Sequence, residues 1–317
     1  MTVKAYIKQV FNNTSNILIV SEDPISRISQ EKTILIGTAN FAQSYGGVTS
    51  PTGLSQRKIN EIFQSILSNN LGIDSSPSYG DAQIRLGKLI EEYGFSGYLM
   101  TKIPTENYVN SKQIFTSATI SLKQLRVQSV DSILLHGYGD YFRGNIKSIR
   151  DGLRMILDEG LARRVGLSCY EESEIIQAKE EIPTLSVFQV PSNVLDHRLL
   201  KSDALEVLSS SNNVFFVRSA FLQGMLLREV ESLPLTLKDL SIPIKHLTEL
   251  ARASGVSLLD YCLAFVKNIS WSSGLILGVE SADQISHILE SIKLKKDLVF
   301  ESFQIPDHII DPRKWII

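Results

Sequence analysis

Residues 73–90 read IDSSPSYGDAQIRLGKLI, and the parsing of this stretch decides the fold. Ile73 closes a short apolar run that ends on Asp74. A polar loop follows, rich in serine and carrying Tyr79, and from about Asp81 the pattern turns helical. A short buried strand, a polar loop and a helix form one unit of an alternating α/β chain.

The unit recurs along the sequence. Short apolar runs stand at 33–39 (TILIGTA), 71–74 (LGID), 97–103 (GYLMTKI), 130–136 (VDSILLH), 163–168 (RRVGLS), 185–190 (LSVFQV), 214–219 (VFFVRS) and 274–279 (GLILGV). Between them lie amphipathic segments. Ile59, Ile62, Phe63, Ile66 and Leu67 share one helical face, as do Ile114, Phe115, Ala118, Leu122 and Leu125, and Leu153, Ile156 and Leu157. Eight strands alternating with helices over residues 33–292 predict a single (β/α)8 barrel of the TIM type. A doubly wound sheet would want a glycine-rich phosphate turn after an early strand, and no G-x-G-x-x-G occurs. Residues 1–30 read as an N-terminal β-hairpin extension able to plug the barrel floor. Residues 293–317 read as a C-terminal tail packed on the surface and reaching toward the site rim.

Composition is that of an ordinary globular chain: 317 residues, 43% apolar, formal net charge −2. Such a balance gives no support for a nucleic-acid partner. No apolar run approaches the ~20 residues of a membrane span, and no leader pattern opens the chain. Cys169 and Cys262 form neither a metal spacing nor a disulfide framework. The expectation is a cytoplasmic protein without a bound metal, whose oligomeric state the sequence leaves open.

Active sites of such barrels sit at the C-terminal ends of the strands. Strand 2 ends at Asp74 with Tyr79 in its loop, strand 3 with Lys102, strand 4 with His136 and strand 5 with Ser168; strand 6 carries Gln189, and strand 7 ends on Arg218 and Ser219. Singly, each has a plain structural role: Asp74 as a cap or turn former, Tyr79 as a packed ring, Lys102 as a solvated charge, His136 as a satisfied core or loop histidine. Their joint placement favours shared chemistry. A tyrosine titrates near ~10, too high for an efficient donor at neutral pH, and a nearby ammonium is expected to lower that value. Lys102 suits this role, and Asp74 would hold it. His136 would donate a hydrogen bond to a carbonyl or relay a proton. Such a set protonates a carbonyl oxygen as a hydride reaches its carbon, and only a cofactor supplies the hydride.

These residues carry a resemblance to the aldo-keto reductases, NAD(P)H-dependent enzymes on a (β/α)8 barrel. Residues 73–90 resemble that family's D-T-A-x-x-Y-G-x-x-E-x-x-L-G-K-x-L signature. LMTKI at 99–103 is similar to its lysine strand, SLKQLRVQSVDSILLHG at 121–137 to its S-L-x-x-L-x-x-x-x-I-D-L-x-x-L-H motif, and GLARRVGLSCY at 160–170 to G-K-I-R-x-I-G-V-S-N. The resemblance implies a catalytic tetrad of Asp74, Tyr79, Lys102 and His136. It implies a dinucleotide, NADP or NAD, lying across the barrel mouth. Gly37 and Thr38 would stand near the nicotinamide ribose, and Ser168, Cys169 and Gln189 at the nicotinamide amide. Arg218 would lie at the nicotinamide face. Ser219, Phe221, Gln223, Gly224 and Leu226 would hold the pyrophosphate, and Gly278, Glu280, Ser281 and Gln284 the adenosine side.

Three positions depart from the family pattern. Cys169 stands where the family has Asn, and a thiol is a poor substitute for an amide. Arg218 replaces a stacking aromatic; its guanidinium can also stack, and suits an acidic substrate group. Glu280 stands where many members have a basic residue that pairs with the 2′-phosphate of NADP, so the expected cofactor is NAD(P) with NADP no longer the default; its other reading is a solvent-facing side chain. The substrate class is expected to be a carbonyl compound, with sugars suggested by Phe41, Gln43, Tyr45, Tyr138, Tyr141 and Arg143 in the mouth loops. Two rivals remain: a Schiff-base lyase built on Lys102, and a dinucleotide-binding regulatory protein of the same fold with little turnover.

Overall fold

A computed structural model describes residues 32–42, 53–104, 110–139 and 145–315. Eight parallel strands close into a barrel in sequence order. They are β1 (Thr33–Gly37), β2 (Gly72–Asp74), β3 (Leu99–Ile103), β4 (Val130–Leu135), β5 (Ala162–Ser168), β6 (Leu185–Pro191), β7 (Val214–Arg218) and β8 (Gly274–Gly278). β1 pairs with β8 from Thr33↔Gly274 to Gly37↔Gly278, which shuts the sheet and removes its free edges. The helices are α1 (Gln56–Ser68), α2 (Ala82–Tyr93), α3 (Ser111–Leu125), α4 (Ile146–Asp158), α5 (Glu172–Glu181), α6 (Asp203–Ser209), α7 (Ser241–Ala253), α8 (Leu258–Lys267), α9 (Ala282–Lys293) and the short α10 (Asp307–Ile310). The barrel expected from the alternation is thus observed, with each run trimmed or extended by one or two residues. The hairpin expected for residues 1–30 lies outside the described residues, as do Gln43, Tyr45, Tyr141 and Arg143. Among the described residues, no helix is long and apolar enough to cross a membrane.

Two apolar layers follow from the two periodicities. Helix faces bury Ile59, Ile62, Phe63 and Ile66 of α1, and Ile114, Ala118, Leu122 and Leu125 of α3, against the outer face of the sheet. Inside the barrel a separate cluster contains Leu35, Tyr98, Met100, Leu134, Val187, Val214, Phe216 and Ile276. Strand side chains alternate between faces, so the residue two positions beyond an inward one also points inward. Leu35 therefore leads to Gly37, Met100 to Lys102, Leu134 to His136, Val187 to Gln189, Phe216 to Arg218 and Ile276 to Gly278. One residue pattern thus supplies both the dry plug of the barrel and the polar ring above it.

Small residues make that plug possible. A Cβ on Gly274 would stand 2.4 Å from the Thr33 carbonyl oxygen and 2.7 Å from the Phe216 ring, and one on Gly72 would stand 2.8 Å from Leu35 Cγ. Glycine at these inward positions gives the large rings and leucine their room.

The C-terminal tail is packed more tightly than a surface strap. Ile309 and Ile310 are buried, Phe300 stacks edge-on against Tyr261 and Phe265, and the Tyr261 hydroxyl donates to the Val299 carbonyl at 2.6 Å. The tail then carries Arg313 to Tyr170, just beyond β5, with the guanidinium carbon 3.5 Å from the ring centroid.

Candidate active site

The polar ring is built around an ion pair. Lys102 Nζ donates to Asp74 Oδ1 at 2.6 Å and Oδ2 at 2.7 Å, and Lys102 is 1% exposed. The ammonium also reaches the Ser75 carbonyl at 3.2 Å and the Tyr79 hydroxyl at 3.4 Å. The Asp74 carboxylate takes a further hydrogen bond from Gln189 Nε2 at 2.6 Å. Asp74 is therefore no helix cap; its first partner is the lysine of the next strand.

Tyr79 projects from the loop between β2 and α2, half-buried, with its ring edge-on to His136 at 5.7 Å between centroids. Burial, with the Asp74 carboxylate adding, pushes the Tyr79 pKa above the ordinary tyrosine value, and Arg218 opposes only part of this. This corrects the expectation of a lowered value. Asp74 offsets the lysine charge, while removal from water disfavours the phenolate. Tyr79 thus rests as a phenol, the form that has a proton to give.

His136 follows β4. Its pKa is pulled down to about 3 by burial, with the charges of Lys102 and Arg218 adding, so the imidazole is neutral at physiological pH. Its Nδ1 lies 3.2 Å from Ser76 Oγ and 3.3 Å from Ser78 Oγ. Ser76 Oγ already accepts the Ser78 backbone N–H at 3.1 Å. A hydroxyl proton given to Nδ1 by either serine leaves the ring proton on Nε2. Replacing both Ser76 and Ser78 with Ala is expected to abolish this tautomer preference. Nitrogen NMR of the His136 ring checks it: an unchanged Nε2–H signature in the double variant would remove the two serines from the role. Sequence reading passed over Ser76, although it stands inside the opening stretch two residues beyond Asp74.

The proposed cofactor positions divide into three groups. Ser168, 4% exposed, has a side-chain hydroxyl with no hydrogen-bond partner among the described residues, and nothing lies within 4 Å of where a Cβ on Gly278 would stand. In the turn after β7, Ser219, Leu222, Gln223 and Gly224 all have positive φ, at 65°, 47°, 52° and 81°. Non-glycine residues rarely adopt this conformation. Asn193 Nδ2 braces the turn by donating to the Ser219 carbonyl at 3.2 Å. Such turns aim backbone N–H groups into an anion-binding concavity. Together, a hydroxyl, open room and an anion-suited turn fit a dinucleotide.

Other positions are already engaged. Thr38 is fully buried and its hydroxyl bonds Ser75 Oγ at 2.8 Å, tying β1 to β2. Gln189 serves Asp74. The Cys169 side chain lies in the hydrophobic core, where burial raises its pKa, and Leu226 lies in that core too. Ser281 caps α9 through the Gln284 N–H at 3.3 Å, while the Gln284 side chain accepts from the Glu280 N–H at 2.7 Å. Glu280 is half-buried beside that helix start, and Gly37 and Phe221 are partly exposed. Of the mouth aromatics, Phe41 is fully buried in the core, while Tyr138 is half-buried.

Arg218 ends β7. Its guanidinium carbon lies 4.3 Å from the Tyr170 ring centroid, its Nη2 donates to the Cys169 carbonyl at 3.3 Å and its Nη1 to Ser219 Oγ at 3.4 Å. Tyr170 and Arg313, which complete this corner, were not singled out from sequence. Their contact joins β5 to a tail well over a hundred residues away, and no local spacing announces it.

The sequence model described as "Aldo/keto reductase family" matches residues 33–309. Comparison with curated proteins returned no match. Among solved structures, the chain is similar to the glycerol dehydrogenase AKR11B4 from Gluconobacter oxydans, at 17% identity, TM-score 0.65, with 83% of this chain and 86% of that one covered. It is also similar to the aldo-keto reductase AKR11C1 from Bacillus halodurans in its holo form, at 16% identity, TM-score 0.67, covering 83% and 87%.

Proposed function

The chain belongs to the aldo/keto reductase family, and on that premise we propose that it is an NAD(P)H-dependent oxidoreductase reducing an aldehyde or ketone to an alcohol. The observation that carries this reading is the buried Asp74–Lys102 pair with the Tyr79 hydroxyl 3.4 Å from the ammonium. Tyr79 acts as general acid and gives its proton to the carbonyl oxygen. Lys102, held by Asp74, stabilises the negative charge that then develops on the phenol oxygen. His136, neutral, donates its Nε2–H to the same carbonyl oxygen and orients it. The reduced nicotinamide, when bound, supplies a hydride to the carbonyl carbon. Ser168, the turn at 219–224 and Gly278 would hold it. A Schiff-base role for Lys102 is disfavoured, because that chemistry needs a neutral amine and this one is paired twice with a carboxylate.

Glu280 sets the cofactor expectation. A carboxylate at this turn repels a 2′-phosphate and can accept hydrogen bonds from a ribose diol. NADH is therefore expected to bind at least as tightly as NADPH; clearly tighter NADPH binding by calorimetry would sink the argument. The substrate is proposed to be a sugar or other hydroxylated carbonyl compound, and a reducing, cytoplasmic setting suits the free, buried Cys169 and Cys262. The deciding experiment is a panel of aldehydes, ketoses and glycerol-derived carbonyls with both reduced cofactors. Cofactor binding without oxidation across the whole panel would replace this reading with that of a dinucleotide-binding regulatory protein.

A further inference from the structure

Three cations near the barrel mouth have carboxylate partners. Lys102 pairs with Asp74, Arg198 with Asp196 and Glu171, and Arg313 with Asp311. Arg218 has none within 4 Å among the described residues, and its two hydrogen bonds are long, at 3.3 and 3.4 Å. The side chain is nonetheless ordered by structure. It is partly buried, it stands two residues beyond the inward-facing Phe216, and it lies against the face of Tyr170, over which Arg313 also stacks. A guanidinium fixed in direction, partly buried and with no carboxylate within 4 Å among the described residues keeps donors free for an anion.

Resting on the reductase reading above, we propose that Arg218 is a substrate-specificity residue that binds a carboxylate or phosphate group of an anionic carbonyl substrate. Its planar fork matches both groups. The position suits substrate: Arg218 belongs to the same inward ring as Lys102 and His136, and its charge is felt at both Tyr79 and His136. An anion bound there lies on the same rim of the barrel as the proton donor. The turn at 219–224 is braced from its other side by Asn193, which donates to the Ser219 carbonyl, while Arg218 touches it only through the 3.4 Å contact with Ser219 Oγ. Binding an anion on Arg218 also offsets the positive charge that it brings next to the nicotinamide position.

The test uses matched pairs at constant ionic strength: glyceraldehyde against glyceraldehyde 3-phosphate, and butanal against 4-oxobutanoate. The expected result is a preference in kcat/KM for the charged member of at least one pair. In Arg218→Met that preference falls by about 10-fold or more, as loss of a charge-assisted hydrogen bond implies, and Arg218→Lys retains part of it. A preference unchanged in Arg218→Met overturns the proposal, as does the absence of any preference in the wild-type chain. Calorimetry with glycerol 3-phosphate against glycerol, and 4-hydroxybutanoate against butan-1-ol, reads the same site without turnover. Tighter binding of the anions that depends on Arg218, with no reduction of any carbonyl, would uphold the anion site while rejecting the reductase reading. Equal binding of charged and neutral ligands would reject the site itself.

Discussion

Replacing Tyr79 with phenylalanine is expected to lower kcat by roughly 10²- to 10⁴-fold, the range that a positioned general acid contributes, with little change in cofactor affinity. The substitution is clean because it removes only the hydroxyl. The ring stays edge-on to His136 at 5.7 Å and keeps its packing against the core. Single-turnover oxidation of bound NADPH or NADH separates the proton step from product release, and calorimetry gives the cofactor dissociation constant. Turnover equal to that of the wild-type chain would remove Tyr79 from the mechanism. A parallel loss of cofactor binding would instead assign the hydroxyl to binding.

The sequence carried the barrel in two superposed periods. Strand runs alternate inward and outward, while helical faces repeat about every 3.6 residues, so the eight strands could be placed to within two residues. Lys102 and Arg218 were legible as polar residues closing apolar runs, whereas the barrel-filling residues two positions before them, Met100 and Phe216, were not, because these runs are apolar on both faces. Long-range pairing was not legible either. Nothing near Gln189 announces that its amide serves Asp74, 115 positions away. Nothing in the tail announces that Arg313 meets Tyr170. The sign of the Tyr79 shift was also hidden, because it depends on how far burial outweighs a lysine whose charge is already committed. The rare positive φ values at Leu222 and Gln223 belong to residues that carry no turn signature of the glycine or asparagine kind.

The Asp74–Lys102 pair makes a second large effect measurable, this time on stability. Lys102 is 1% and Asp74 3% exposed, and the carboxylate has three hydrogen bonds, two of them from the ammonium. Lys102→Met leaves Asp74 with Gln189 alone as an observed donor. Removing one member of a buried pair costs about 3–5 kcal/mol, because the other charge is stranded. The double variant Asp74→Asn, Lys102→Met strands none and is expected to recover most of that loss, while remaining inactive for want of the ammonium. Urea unfolding should therefore show a large deficit for Lys102→Met and a much smaller one for the double variant. A double variant as unstable as the single one would mean that Lys102 stabilises the barrel through its packed alkyl chain and not through its charge.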